Sequence, residues 1–358
     1  MKKFLFRILY VLQFHHLARW FLRRKAILLM YHGFTDRERH EGIVNHQGKH
    51  VAIGNFEKQV EYLRRHYHPI SLAALGEGLT KGGKIPERAV VLTMDDGYES
   101  TYALAFPVLK RQGVPATLFL TTRFIDEGAC LWPDRLEFAI HRAPETSFEI
   151  SVGGRAIAVA IETNNSESRR TSEIRLRNEI KNVAEGEKLR AVEELEKQVG
   201  AKLGEAGEPP PLYRPLKWAQ VTEMIQSGLI SVGSHTHTHV ILTRCTPEKA
   251  KQELLISKRI IEEKTGSPCR LFCYPNGRPG DFSEETKRLI QATGYACALT
   301  TVEGFVEWGE DPFELDRLGV RNQTDFIEFV MTLAGVKLFF SKVKESLGKL
   351  LGDGRERA

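Results

Sequence analysis

The sequence predicts an α/β fold in which short parallel strands alternate with helices. Short apolar runs alternate with segments of helical spacing, which is typical of β–α units. Polar clusters follow several of these runs directly, and parallel folds bind their ligands at the carboxyl ends of strands. The composition of the 358 residues, 42% hydrophobic and 27% charged, excludes a wholly disordered chain, a collagen and a multi-span membrane protein.

The excess positive charge lies in one terminal segment. The formal net charge is +5, but residues 1–25 contain seven Lys or Arg and no acid, so the remainder of the chain is slightly acidic. A body without excess basic charge offers no electrostatic footprint for nucleic acid. We therefore expect no nucleic-acid partner.

Residues 1–25 predict an amphipathic basic helix. Its basic residues recur at multiples of four, which places them on one helical stripe. They are Lys3, Arg7, His15, Arg19 and Arg23. Such a helix is typical of an anchor on an anionic membrane surface, and the alternative is a helix packed on the protein's own core. Arg7 interrupts the apolar run, which disfavours both a signal peptide and a spanning helix.

The body of the protein, residues 26–325, begins with alternating strands and helices. Residues 26–33 form an apolar run that ends at His-Gly, which is typical of a buried strand that ends at a turn. A polar loop is expected at 34–54, and a helix at 56–67. The next elements, in chain order, are strand 89–93, helix 103–112 and strand 116–120.

Residues 131–216 interrupt this alternation. The stretch 163–208 is polar and highly charged, with apolar residues at the spacing of a surface helix, and three prolines end it. We therefore expect a helical insertion that could act as a lid.

The β–α alternation then resumes. The predicted elements are helix 218–227, strand 230–233, helix 247–265, strand 271–274, helix 283–293 and strand 296–300. Pro247 is typical of the first position of a helix, and Gly266 is typical of the position just after a helix ends. Residues 326–358 predict a C-terminal amphipathic helix that packs on the domain. Its interleaved basic residues are Lys337, Lys342, Lys344 and Lys349.

Two adjacent carboxylates follow the strand at 89–93. Asp95 and Asp96 would repel one another when ionised unless a cation lies close by. Successive residues of an extended chain point in opposite directions, so one carboxylate can face a metal and the other a substrate. The ordinary alternative is that Asp-Asp-Gly is only a turn.

Three histidines follow the strand at 230–233. His235 and His239 are four residues apart and would share one face of a helical turn, where both can bind one ion. Two His and one Asp leave coordination positions open, as catalytic metal sites do. His237 falls on the opposite side by spacing, so we expect it to be a supporting or surface residue.

The sequence resembles a known family at these positions. TMDDG at 93–97 matches the TFDDG motif of the polysaccharide deacetylases, the NodB-homology domain of carbohydrate esterase family 4. HTHTH at 235–239 matches that family's H-[ST]-x-x-H motif, and YPNG at 274–277 is similar to its third motif. The resemblance covers residues 26 to about 322, apart from the insertion.

This resemblance implies a distorted (β/α)7 barrel and a metal-dependent hydrolase that removes the N-acetyl group from a sugar in a polysaccharide or a lipid-linked glycan. It implies Asp95 as the general base. It implies Asp96, His235 and His239 as ligands of one divalent ion, with zinc as the default and Co, Ni or Mn as alternatives. Water activated by the ion would attack the acetamide carbonyl, and the ion and the backbone N–H of Asn276 would hold the oxyanion.

Two family residues are missing from their usual positions. The third motif usually begins with an Arg that orients the base, but Cys273 stands there. Arg317 or Arg321 is the expected substitute, with an ordinary surface ion pair as the alternative. The fifth motif supplies a His as general acid, yet the last His of the chain is His239. We expect His32, which also follows a strand, to replace it.

The candidate substrate-binding residues come from three places. The third motif contributes Tyr274, Pro275 and Asn276. Trp132 offers an aromatic face for a sugar ring, although Trp is more often a core residue. Arg317 completes the set.

Other functions remain open on the sequence alone. The missing third- and fifth-motif residues are compatible with a catalytically inactive glycan- or lipid-binding protein of the same fold, and two His with one carboxylate also suit an iron oxygenase. Five cysteines without CxxC spacing indicate reduced structural thiols. We therefore expect the cytoplasmic face of a membrane, where a lipid-linked glycan could be the substrate. A periplasmic or extracellular location with an uncleaved N-terminal anchor is the alternative.

Overall fold

The structure is a computed structural model that describes residues 2–81, 85–162 and 165–340. Its strands are β1 Ile27–Tyr31, β2 Gly33–Thr35, β3 His50–Ala52, β4 His68–Pro69, β5 Ala89–Met94, β6 Ala116–Leu120, β7 Thr146–Val152, β8 Arg155–Ile161, β9 Ile230–Ser234, β10 Leu271–Cys273, β11 Cys297–Leu299 and β12 Leu318–Gly319. Its α-helices are α1 Lys2–Val11, α2 Phe14–Phe21, α3 Ile53–His66, α4 Leu72–Lys81, α5 Phe106–Gln112, α6 Thr122–Glu127, α7 Trp132–Arg142, α8 Ser166–Ile180, α9 Glu185–Val199, α10 Trp218–Gln226, α11 Pro247–Thr265, α12 Glu284–Ala292 and α13 Phe326–Leu333.

The main sheet consists of parallel strands in the order β11-β10-β9-β6-β5-β1-β12, and β4 pairs with the start of β5. The register of β1 on β5 runs from Ile27 opposite Val90 to Tyr31 opposite Met94. The sheet curls into an incomplete barrel, which confirms the predicted distorted (β/α)7 architecture. Because the strands share one direction, their carboxyl ends lie at the same edge of the sheet.

Local sequence explains the main elements. Every residue of β5 and β6 is buried, as expected for parallel strands covered on both faces. α11 begins after Thr246, whose side chain accepts a hydrogen bond from the backbone N–H of Lys249, and it ends at Gly266 with φ at 65°. The helix predicted at 247–265 is therefore confirmed.

The expected loop at 34–54 contains additional short strands. β2 and β3 pair in parallel, with Phe34 opposite Val51. These strands have only three residues each, which is too short for a periodic signal in the sequence.

The insertion forms a layer with its own core. It is mainly helical, as predicted, through α7, α8 and α9, and it also contains an antiparallel hairpin of β7 and β8. Gly153 and Gly154, both with positive φ, make the hairpin turn. Apolar residues alternate along both strands, as Ile157, Val159 and Ile161 show in β8, but the sequence analysis predicted only helix for the insertion. The core residues of this layer include Leu136, Ile150, Leu176 and Val192.

The N-terminal segment forms two helices where one was expected. The break lies at Gln13, whose φ is 57°. Phe6 is buried, and α1 packs on α13. Both helices also expose large apolar side chains, which are Phe4 in α1 and Trp20 and Phe21 in α2.

The C-terminal segment begins with α13, and the side chain of Asp325 caps this helix by accepting from the backbone N–H of Glu328. Residues 336–340 are again helical, and Lys337 pairs with Glu303. The rest of the predicted C-terminal helix, with Lys342, Lys344 and Lys349, lies outside the described residues. Within the described ranges, no helix combines the length and apolar character that crossing a bilayer requires.

Candidate active site

The site forms where three loops leave the carboxyl ends of β5, β9 and β10. Each loop contains a residue other than glycine with a left-handed backbone: Asp96 (φ 78°), His239 (φ 60°) and Asn276 (φ 65°). Such conformations cost about 1–3 kcal/mol each and persist where the surroundings enforce them, often at functional sites. The three loops therefore carry the polar groups at the cost of local strain.

Asp95 and Arg317 form a buried ion pair. The two terminal nitrogens of Arg317 donate to the two carboxylate oxygens of Asp95 at 2.8 Å each, and the residues are 0% and 2% exposed. Arg317 also donates to Thr93 Oγ1 at 2.9 Å and to the carbonyl of Thr300 at 2.7 Å. Burial tends to raise the pKa of Asp95, but the charge and hydrogen bonds of Arg317 outweigh it and hold that pKa below its usual value. Asp95 is thus an ionised carboxylate of fixed orientation.

Arg317 takes the place of the third-motif arginine. Cys273, which stands at the usual arginine position, has its Sγ 3.0 Å from a terminal nitrogen of Arg317. Since Arg317 is fully buried, the expectation that it binds substrate and the alternative of a surface ion pair are both wrong. Arg321 is exposed, and no ion pair joins it to Asp95 in the described part of the chain.

Asp96 faces the two histidines. Its Oδ1 lies 3.5 Å from His235 Nε2 and 3.3 Å from His239 Nε2, yet this buried oxygen has no hydrogen-bond partner among the described residues. The Nδ1 of His235 lies 2.8 Å from the carbonyl oxygen of Cys273. A carbonyl can only accept, so Nδ1 carries the proton and Nε2 is free to bind an ion. Burial lowers the pKa of His235 to about 4, which keeps the imidazole neutral.

These three residues fit a divalent ion. One carboxylate and two imidazoles converge on one point, and the unpartnered Asp96 oxygen is the group that a cation would satisfy. The spacing predicted that His235 and His239 share a helical turn, but the structure has no helix at these residues. The loop instead contains left-handed Thr236 and His239, which bring the two rings to 4.9 Å between centroids.

A second group of possible ligands fits less well. Asp95, His235 and Cys273 also approach one another. Asp95 is already committed to Arg317, and burial raises the pKa of the Cys273 thiol well above its usual value. A protonated thiol is a poor metal ligand, so the Asp96 group is the better site.

Glu253 of α11 supports the histidine loop, a role that the sequence alone did not indicate. It is buried and accepts from the backbone N–H groups of His237 and Thr238 at 2.9 and 2.8 Å. The ring of His237 lies 2.8 Å from Thr122 Oγ1, and His237 is not part of the ligand group. The available signal in the sequence was the position of Glu253 on the apolar side of α11, next to Ala250 and Leu254.

Two further histidines lie near the carboxylates. His32 is half-buried, and its pKa is lowered by burial, while the charges of Asp96 and Asp95 oppose that shift. His50 is fully buried next to the ring of Tyr98, and neither of its ring nitrogens has a hydrogen-bond partner among the described residues. Nothing in the local sequence singled out His50, because it lies in a stretch predicted as loop.

The remaining predicted residues differ in exposure. Tyr274 is fully buried and donates to the carbonyl of Phe313, so it packs in the core and cannot contact substrate as expected. Pro275 is also buried. Asn276 is accessible, and its side chain donates to Asp281 Oδ2 at 2.9 Å. Trp132 is only 8% exposed and belongs to the core of the insertion, although it borders two cavities.

The comparisons with known proteins identify the family of this chain. The family model described as polysaccharide deacetylase matches residues 82–298. The Bacillus subtilis polysaccharide deacetylase YxkH is 24% identical over 297 residues, which is 83% of this chain and 71% of that protein. The poly-β-1,6-N-acetyl-D-glucosamine N-deacetylase of Escherichia coli K12 is 40% identical over 80 residues, which is 22% of this chain and 12% of that protein.

Solved structures show the same fold. The Streptococcus pyogenes deacetylase PplD in complex with acetate is 18% identical, with 86% of this chain and 98% of that chain covered and a TM-score of 0.57. IcaB from Ammonifex degensii is 17% identical, with coverage of 87% and 97% and the same TM-score of 0.57. The family match extends over more than half of the chain and identifies a hydrolase of carbon–nitrogen bonds: the chain belongs to the polysaccharide deacetylase family.

Proposed function

We propose that this protein is a metal-dependent N-deacetylase that acts on an N-acetylated sugar of a polysaccharide or a lipid-linked glycan. One observation carries the proposal. Asp95, held by Arg317, directly precedes Asp96 of the candidate metal site, so a base and three ligands meet at one sheet edge. Relatives in Escherichia coli and Staphylococcus aureus are named for poly-β-1,6-N-acetyl-D-glucosamine, which supports an N-acetylated sugar as the substrate class.

The chain's own residues have distinct roles in this reaction. A divalent ion at the site would polarise the acetamide carbonyl and lower the pKa of water. Asp95 accepts the proton of the attacking water, and Arg317 keeps its two oxygens in place. The backbone N–H of Asn276 has no acceptor among the described residues and donates to the developing oxyanion. His32 donates the proton that the leaving amine requires, and it must carry that proton when the C–N bond breaks; the charges of Asp96 and Asp95 favour the protonated ring against the effect of burial.

Two rival functions make different predictions. An iron oxygenase would need iron and molecular oxygen, whereas the deacetylase releases acetate without oxygen. An inactive glycan-binding protein would bind N-acetylated sugars and release no acetate. The bidentate Asp95–Arg317 pair favours the enzyme, because a binding protein has no use for an oriented base.

Acetate release from N-acetylglucosamine oligomers, with elemental analysis of the same samples, tests the proposal. We expect about one divalent ion per chain in the wild type and its loss in His239→Ala. Asp95→Asn should retain the ion but release no acetate. His237→Ala is the matched control, because its ring bonds to Thr122 and lies outside the ligand group. A wild type that binds none of zinc, cobalt, nickel and manganese would contradict the proposal.

We also propose that residues 1–25 dock the protein on an anionic membrane. α1 and α2 expose large apolar side chains, with Phe4 at 69%, Trp20 at 55% and Phe21 at 67%, next to several basic residues. An apolar face beside basic charge is typical of helices that lie in the membrane interface. The free cysteines support the cytoplasmic face.

Co-sedimentation with vesicles tests this docking. We expect the protein to bind vesicles that contain phosphatidylglycerol and to bind phosphatidylcholine vesicles less. The double variant Trp20→Ser with Phe21→Ser should lose binding, and Leu255→Ser, an exposed leucine of α11, should not. Equal binding of both variants would refute the docking surface. Protease protection in intact cells then separates the cytoplasmic face from a periplasmic or extracellular one.

A further inference from the structure

A cavity of about 440 Å³ adjoins the candidate active site. His239 and Asn276 line it, together with residues of α8 and of the loops that follow β10 and β12. Its volume lies in the range of ligand pockets, roughly 300–1,000 Å³. The part of a glycan next to the reacting acetamide would lie in this space.

The cavity has a strongly basic lining. Its cationic side chains are Arg170, Arg177, Lys181, Arg278 and Arg321. No carboxylate lines the cavity among the residues that the structure describes. The cations come from three separate segments of the chain, which are the insertion and the loops after β10 and β12. A single solvated helix face therefore does not explain them.

The protein neutralises only part of this charge. Arg177 pairs with Glu173, a fully buried carboxylate that also bonds to His46. The side chains of Lys181, Arg278 and Arg321 have no ion pair within residues 2–81, 85–162 and 165–340.

Two of the unpaired cations, Lys181 and Arg278, lie close enough to influence one another. Burial lowers the pKa of Lys181, and the neighbouring charge of Arg278 lowers it further, with Asp281 in opposition. Like charges near one another in a partly buried space destabilise the protein unless an anion joins them. A neutral glycan would gain cationic amines as its acetyl groups leave, and this lining would repel such a product.

We infer that the substrate carries an anionic group, a phosphate or a carboxylate, next to the N-acetylated sugar, and that Lys181, Arg278 and Arg321 bind it. This inference rests on the proposed deacetylase function and names its substrate class. Guanidinium groups match both anions, because they donate two parallel hydrogen bonds to two oxygens.

Three matched sugars test the inference: N-acetylated chitotriose, its 1-phosphate, and the same trisaccharide with C6 of a terminal sugar oxidised to a carboxylate. Acetate release by the zinc-loaded full chain gives kcat/KM for each sugar. We expect a preference of roughly tenfold or more for an anionic sugar, from three partly exposed ion pairs. The preference should shrink between about 0.02 and 0.5 M salt, because screening weakens such pairs.

Variants identify the residues that cause the preference for anionic sugars. The triple variant Lys181→Met, Arg278→Gln and Arg321→Gln should lose it, and its thermal unfolding midpoint checks that it folds. Arg259→Gln is the matched control, because Arg259 is an exposed arginine of α11 outside the cavity, and it should keep the preference. Equilibrium binding of the same sugars to the chelator-treated wild type provides a readout without turnover.

The outcomes separate the two levels of the proposal. Equal kcat/KM and equal binding for neutral and anionic sugars would overturn the inference and leave the deacetylase intact. No acetate from any sugar, with tighter binding of the anionic ones, would support the anion site and overturn the deacetylase. A preference for the phosphate over the carboxylate, or the reverse, identifies the anion.

Discussion

Replacing Arg317 by Met would leave the Asp95 carboxylate buried without its counter-ion. The two residues are 0% and 2% exposed and share two hydrogen bonds of 2.8 Å. Removing one partner of such a buried pair costs about 3–5 kcal/mol of the free energy of unfolding. The carbonyl of Thr300 would also lose its donor, so we expect the upper part of this range.

The pH dependence of this loss gives a sharper test. In the wild type, Arg317 holds the pKa of Asp95 below its unfolded value, so the stabilisation is present above the unfolded-state pKa of about 3.9 and is lost as the pH falls through the folded-state pKa. In the variant, only the smaller effects of His235 and His32 oppose burial, so burial raises the pKa of Asp95. Asp95 of the variant then takes up a proton when the chain folds. The stability that the variant has lost relative to the wild type therefore shrinks as the pH falls through that raised pKa.

Urea unfolding in the presence of a chelator measures the effect at about pH 7 and about pH 5. Arg317→Lys should lose less stability than Arg317→Met, because an ammonium keeps the charge but not the paired donors. Arg321→Met is the matched control, and this exposed arginine should change stability by less than about 0.5 kcal/mol. A loss below about 1 kcal/mol in Arg317→Met, or the same loss at both pH values, would refute the reasoning.

Three further changes probe other parts of the site. His32→Ala should lower kcat roughly 10²–10⁴-fold with an unchanged metal content, and full activity would exclude His32 as the proton donor. Glu253→Gln should weaken metal affinity roughly 10–100-fold in a chelator competition, because the histidine loop loses its charged acceptor. A wild-type metal affinity in this variant would show that the histidine loop keeps its conformation without the Glu253 carboxylate. Gly233→Ala should destabilise the protein by about 1–3 kcal/mol in thermal unfolding, because its Cβ would lie 2.7 Å from the carbonyl oxygen of Leu271. Gly54→Ala, where the space is open, is the control, and equal effects would contradict the steric argument.

Much of the site could be predicted from local sequence. Asp95 and Asp96 follow an apolar run, and His235 and His239 follow another, so parallel strands were enough to place them at one edge. Their residue types already indicated a metal site. The expected helical turn at His235 was wrong, because the i, i+4 spacing does not reveal the left-handed residues Thr236 and His239.

The sequence by itself therefore determined the class of fold, the positions of the main strands along the chain and the motifs that carry the chemistry. These depend on periodicity and on neighbours along the chain. Only the tertiary structure decided which distant residues join these motifs in the site. Arg317 and Arg321 are four apart, yet only Arg317 reaches Asp95, 222 residues away. The basic cavity likewise joins the insertion to loops about a hundred residues further on. Contacts of this length depend on how the sheet curls and how the layers pack, and no local pattern records them.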